Sequence, residues 1–312
     1  MSILNRASDG THSVLTVIYK LLLQEGATER ERIIQLCAPA GTVADPRHVR
    51  QTLGTWIELG LLQEASNDRI KIHGDISKAD CSEARLPHVA RRMVMAPANN
   101  SDLWKREESR AADFSRGMAW LLAQDVYATE LISWSDAERM LINQVPDVLM
   151  QRDGSGLKDG GLIQNDTRWP GLKAYAPWLG FAWTARPPKG ASGVLMIDPT
   201  AAVRDVLPDV FGKRKSLTAS DFVTALAETL PVLDGGDYRR QVEEKLRART
   251  GVDAWKPLPE GHLSTSLSRA LLRLLADGTL RKELQADSPS RKFLIGRNGS
   301  IIGTITHLTF NS

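Results

Sequence analysis

The chain has 312 residues, 42% of them hydrophobic and 25% charged, with a net charge of +3 and an isoelectric point near 8.9. That length asks for two or three domains and supplies apolar material for their cores, and two cysteines, Cys37 and Cys81, are too few for a disulfide framework. The opening residues lack a signal-peptide pattern and the apolar Val14–Leu23 run is shorter than the ~20 residues of a membrane span, so a cytoplasmic protein without membrane contact is expected.

The first predicted helix carries Val14, Leu15, Val17, Ile18, Leu21 and Leu22 and stops at Gly26. Thr28 reads as the cap of a second helix, with Glu31 three residues on completing a capping box. Asp45-Pro46 opens a third, on which Val49, Leu53, Trp56 and Ile57 share one face, and Gly60 ends it. Strands at 61–65 and 70–72 follow, joined by a polar turn at Ser66-Asn67-Asp68-Arg69. Three helices and a hairpin make a winged helix, whose reading helix is the Arg47–Leu59 segment.

The same frame returns near the C-terminus. Leu267, Leu271, Leu274, Leu275, Gly278 and Leu280 repeat Val49, Leu53, Trp56, Ile57, Gly60 and Leu62 at a constant offset. A strand through Leu284 and another at Lys292–Ile295 would form its wing, with a turn at Asp287 to Ser290. Helices through Phe222, Val223, Leu226 and Leu230 and through Val242 and Leu246 precede it. The Ile- and Thr-rich segment from Ile301 to Phe310 can add a strand or two. A middle unit is more degraded: a helix through Phe114, Met118, Leu121 and Leu122, one over Ser133 to Gln144 capped by Ser135, and a Trp169–Leu179 segment interrupted by Pro177. Strands at Phe181 to Ala185 and Val194 to Ile197 then flank a tip at Pro187-Pro188-Lys189-Gly190. The expected fold is therefore mainly α with small β-hairpins, arranged as tandem winged-helix units. They occupy 1–80, 81–212 (a linker helix and the degenerate middle unit) and 213–312. Asp75 to Glu83, Ala96 to Ser101 and Gly212-Lys213-Arg214-Lys215 read as linkers.

Catalytic chemistry has no footing in the sequence. The six histidines, His12, His48, His73, His88, His262 and His307, are scattered, and no metal-ligand spacing, zinc-protease, serine-hydrolase or P-loop motif occurs. The Gly-rich stretch from Asp153 to Gly161 reads as a flexible connection. Glu107-Glu108 and Glu243-Glu244 read as solvated ion pairs. No enzyme activity and no cofactor are expected.

Binding residues are easier to nominate. With Val49, Leu53 and Trp56 inward, Arg47, His48, Arg50, Gln51, Thr52 and Thr55 are expected to face out, and such side chains suit phosphates and base edges. Arg69 and Lys71 on the wing would reach adjacent phosphates. In the C-terminal unit, Thr265, Ser268, Arg269 and Arg273 form the matching outward set, and Arg281, Lys282, Arg291 and Lys292 make its hairpin basic. The eight tryptophans suggest base stacking, but core and domain-interface packing is the expectation for them, Trp104, Trp134 and Trp183 included.

The opening Met1-Ser2-Ile3-Leu4-Asn5-Arg6-Ala7-Ser8-Asp9-Gly10, running into the Ser13–Leu23 helix, resembles the start of DpdG. Members of that family are accessory proteins of bacterial gene clusters that place 7-deazaguanine derivatives in DNA and restrict unmodified DNA. The resemblance implies a bacterial antiviral-defence or restriction-modification setting and partners encoded in the same cluster. It carries over no catalytic residues. Together these features favour a non-enzymatic accessory protein that binds duplex DNA, chiefly through its backbone. The alternatives are a kite-like winged-helix adaptor of a larger complex, with a homodimer among the assemblies allowed, and a transcription regulator.

Overall fold

The computed structural model describes residues 3–4, 12–39, 41, 45–104, 110–129, 133–146, 152–153, 156–157, 161–163, 166, 168–185, 193–285 and 288–311. Its elements run α1 (His12–Glu25), β1 (Thr28–Glu29), α2 (Arg30–Cys37), α3 (Arg47–Glu58), β2 (Leu62–Ala65), β3 (Arg69–Ile72), α4 (Leu86–Met95), α5 (Ala112–Leu122) and α6 (Trp134–Gln144). They continue with β4 (Arg152–Asp153), β5 (Gly156–Leu157), α7 (Arg168–Trp178), β6 (Ala182–Ala185), β7 (Val194–Ile197), α8 (Thr200–Phe211), β8 (Ser216–Thr218), α9 (Ala219–Thr229), α10 (Asp237–Arg247) and α11 (Thr265–Ala276). The last strands are β9 (Leu280–Glu283), β10 (Lys292–Ile295), β11 (Ile301–Ile305) and β12 (His307–Phe310). The protein is thus mainly helical with small antiparallel sheets. It divides into two compact units: Met1–Ser115 with Ile163–Leu179, and Arg116–Leu162 with Gly180–Ser312.

In the first unit α1, α2 and α3 close around Leu15, Ile18, Leu22, Ile33, Val49, Leu53 and Trp56, with Ile70 of β3 beneath them. The sheet has the order β1-β3-β2. The turn between β2 and β3 places Asn67 and Asp68 at φ 61° and 51°. Asn and Asp tolerate that left-handed region better than most residues, which is why a polar turn closes this hairpin. Helix α7 covers the far side of α1. His12 stacks on Trp178 at 5.3 Å, and Trp56 meets the same indole edge-on at 6.1 Å. Pro177 sits in the last turn of α7, where the helix is already ending, so it does not break it. Two buried polar groups tie the unit together: Arg91 donates to the Leu179 carbonyl at 2.7 Å, and Asp113 pairs with Arg168.

In the second unit α8, α9 and α11 pack together over the sheet β8-β12-β9. Phe211 stacks on Phe310 at 5.5 Å and meets Phe222 at 5.8 Å. The polar chains of α11 are fixed at its start. Ser264 caps the helix and is itself held by the Asp234 carboxylate. Ser266 donates to the Leu122 carbonyl at 2.7 Å, and Thr265 both donates to Gln124 O and accepts from Val126 N–H.

The repeat seen in the sequence has a structural counterpart. Val49, Leu53 and Trp56 of α3 and Leu267, Leu271 and Leu274 of α11 are all fully buried. Gly60 and Gly278 both turn at positive φ, 85° and 78°, and their N–H groups reach Ile57 O and Leu275 O. Leu62 and Leu280 then open β2 and β9. Gly180, at φ 82°, stands in the same place between α7 and β6. A left-handed residue with no Cβ is what lets each helix reverse directly into a strand.

Several sequence expectations change. Thr28 does not cap α2: it lies in β1 opposite Ile70, and the helix begins at Arg30 with no side-chain cap. Ser133, not Ser135, caps α6, with Asp136 completing the capping box. The expected β9–β10 hairpin does not form. β10 pairs with β11, while β12 crosses back to lie between β8 and β9. Thr306, between β11 and β12, secures the switch by donating to Glu283 O and accepting from Gln285 N–H. The stretch around Asn99 and Asn100, read as a linker, is packed in place: both side chains are buried and donate to carbonyls of Leu59, Met93, Val94 and Ala96. Glu243 is not simply solvated, since it pairs with the buried Arg239 at 2.6 Å. Glu107-Glu108, the 187–190 tip and Asp287 lie outside the described residues, as do most of the opening ten residues and much of the Asp153–Gly161 stretch.

Candidate nucleic-acid interface

The outward face of α3 is built by subtraction. Val49, Leu53 and Trp56 point into the core, so Arg47 and Arg50 are left exposed and His48, Gln51 and Thr55 half-buried. Asp45 organises the start of the helix. Its Oδ1 accepts the Arg47 N–H at 2.8 Å and its Oδ2 lies 3.2 Å from the Arg47 guanidinium. Thr52 departs from expectation. It is buried, and its hydroxyl donates to the His48 carbonyl at 2.7 Å, so it is not a contact residue.

Beside this face lies the β2–β3 hairpin. Arg69 is exposed and Lys71 half-buried, two residues apart on one side of β3 with the core residue Ile70 between them. The nearby acids Glu64 and Asp68 are both taken up by Arg30, at 2.5 and 3.1 Å. One guanidinium against two carboxylates leaves Arg30, Arg69 and Lys71 together only slightly in excess over Glu64 and Asp68.

The C-terminal set is placed differently. The first turn of α11 is buried, Thr265, Ser266 and Ser268 included, so it presents no reading face. Arg269 donates to the carbonyls of Ile197 and Val126 at 3.0 and 3.2 Å and lies 4.5 Å over the Tyr127 ring. It joins three segments of the second unit and is spent on structure. Arg273 is exposed but stands 3.0 Å from the buried carboxylate of Asp198. Arg281, Lys282 and Arg291 are exposed on or next to β9 and β10, while Lys292 is half-buried opposite Ile305. Of the basic residues early in the predicted 81–212 region, Arg91 and Arg116 are buried, and Lys105 and Arg106 lie outside the described residues.

Sequence reasoning missed Arg204 on α8 and the carboxylates Asp198 and Asp277 that neighbour the C-terminal arginines. The signal was present in Asp198-Pro199-Thr200, a helix-start pattern, and in the recurrence of Ala202, Val203, Val206, Leu207 and Val210 on one face. Among the described residues, no three His, Cys, Asp or Glu side chains gather as metal ligands would, and no helix is long and apolar enough to cross a membrane.

Comparison with known proteins gives one match. A family model described as DpdG-like matches residues 1–288 of the chain. No curated protein and no solved structure matches it.

Proposed function

The chain belongs to the DpdG-like family, and from that premise we propose that it is a non-enzymatic accessory protein that binds duplex DNA for a bacterial 7-deazaguanine modification and restriction cluster. In this reading α1–α3 with the β1-β3-β2 sheet form one winged helix. α8, α9 and α11 with the β8-β12-β9 sheet form another, its wing enlarged by the β10–β11 hairpin. The observation that carries the reading is the α3 face: two exposed arginines and three half-buried polar residues on a helix held rigid by its own core, next to a hairpin that carries Arg69 and Lys71. Arg47, Arg50 and Arg69 supply phosphate contacts, and His48, Gln51 and Thr55 are placed for base edges. Because the start of α11 is buried, the second unit contributes backbone contacts through Arg281, Lys282 and Arg291 rather than a second reading helix. Cytoplasmic location and partners from the same cluster follow from this setting.

Anisotropy of a labelled duplex across a salt series tests the reading. The R47A/R50A/R69A variant is expected to bind more weakly at every salt concentration, with a log–log salt slope reduced by roughly 2–3, one step of about 0.9 per lost phosphate contact. Absence of duplex binding at low salt, or an unchanged slope, removes the DNA reading.

A second reading, the kite-like adaptor, is favoured by Ile301 and Ile302, exposed apolar residues at the start of β11. Co-purification with other proteins of the cluster that is lost on I301S/I302S would support it.

A further inference from the structure

All eight tryptophans lie among the described residues, and Trp183 is the one that is exposed, at 42%. It projects from β6 into a groove of about 610 Å³ lined also by Asp198, Thr200, Arg204, Arg273 and Asp277. A smaller recess of about 320 Å³, with Tyr127 and Arg269 on its wall, shares Trp183 and Arg273 with it. Volumes of this order suit a small organic ligand. The whole arrangement belongs to the second unit.

The chemistry of the lining selects among ligands. In the groove Arg204 and Arg273 face Asp198 and Asp277, and Arg269, its guanidinium already bonded to two carbonyls, adds a further positive charge in the adjoining recess, which tips the region toward an anion. Arg204 is held by Asp277 and Arg273 by Asp198, so both guanidinium groups are positioned while keeping N–H donors to offer. The exposed indole of Trp183 offers a flat ring a stacking partner. Asp198 adds a third element. Its side chain is 2% exposed, Oδ1 accepts from the Thr200 N–H and hydroxyl, and Oδ2 is near Arg273 but accepts no well-aligned hydrogen bond. A buried carboxylate oxygen on a groove wall with accepting capacity left over fits a ligand that carries an N–H donor.

A flat ring, an anionic group and N–H donors together describe a nucleotide. We propose that this groove binds an unpaired nucleotide, its base stacked on Trp183 and its phosphate held by Arg204 and Arg273. The site is separate from the α3 face and does not require it. The same chemistry occurs in a free mononucleotide and in an unpaired stretch of a strand, so both serve as probes: deoxyguanosine monophosphate by calorimetry and a labelled mixed-sequence ten-nucleotide single strand by anisotropy, each with the full chain.

W183L is expected to weaken binding by about tenfold, the order of one lost base stack, and W183F by about threefold or less. R204Q is expected to weaken it severalfold. R47A/R50A/R69A leaves the mononucleotide affinity unchanged, which separates this site from the duplex reading. Comparable affinity for both probes assigns a free nucleotide, and binding of the single strand alone, still lost in W183L, assigns a strand. The proposal is overturned if neither probe binds at low salt, or if W183L binds as the wild type does while its thermal melt shows it folded.

Discussion

Arg269 shows how far a residue's type can mislead about its task. On a helical wheel it lies outward at the start of a basic helix, the usual description of a phosphate contact. In the fold its guanidinium satisfies two backbone carbonyls and covers a tyrosine ring. Removing it leaves the Ile197 and Val126 carbonyls short of a donor, at a cost of about 1–3 kcal/mol. R269A is therefore expected to lower the denaturation midpoint clearly while duplex affinity at 20–25 °C stays as in the wild type. A fall in affinity without loss of stability would return Arg269 to the interface. Ser266 and Arg91 make the same point. A polar side chain reads as exposed in a sequence, and only the position of a distant carbonyl shows that it is buried and bonded.

At the scale of elements, the parts legible in the sequence were those set by short-range rules. Apolar periodicity marked α3 and α11, and a glycine after each marked its end, because a helix reversing into a strand needs the left-handed conformation. Strand partners were not legible. β9 and β12 are separated by a full hairpin, and nothing local distinguishes that pairing from the shorter β9–β10 one. α8 was not among the expected helices although its apolar face is regular; Pro199 immediately precedes it and Pro208 lies in its last turn. The segment before α4 offers a test of electrostatics at this scale. Burial works to raise the Asp80 carboxyl, but the Ser77 hydroxyl, Arg85 and Arg92 outweigh it and hold the group below its ordinary value of 3.8. A carboxylate depressed in the folded state adds stability above its unfolded pKa, and that stability is lost as pH falls through the lower folded value. D80N is expected to be less stable than the wild type at pH 7, with the difference shrinking below pH 4 in urea titrations. A difference independent of pH would show that packing, not charge, is what Asp80 contributes.

At the scale of the whole molecule, the two units are not consecutive lengths of chain. The first takes residues from Met1 to Ser115 and then α7 from beyond residue 162. Without α7 the stack on His12 is lost and the edge-on cover of Trp56 goes with it. A fragment ending at residue 115 is therefore expected to melt well below the full chain or to aggregate. A sharp melt at the temperature of the full protein would show that α7 adds nothing to the unit.

This discontinuity also bears on the order in which the protein is made. A chain leaving the ribosome presents α1, α2 and α3 early, but the helix that closes their outer side is translated only after the first forty-odd residues of the other unit. Between those moments the aromatic face of the nascent N-terminal unit stands uncovered, and slow translation or a chaperone in that window would decide how much of it reaches the native state.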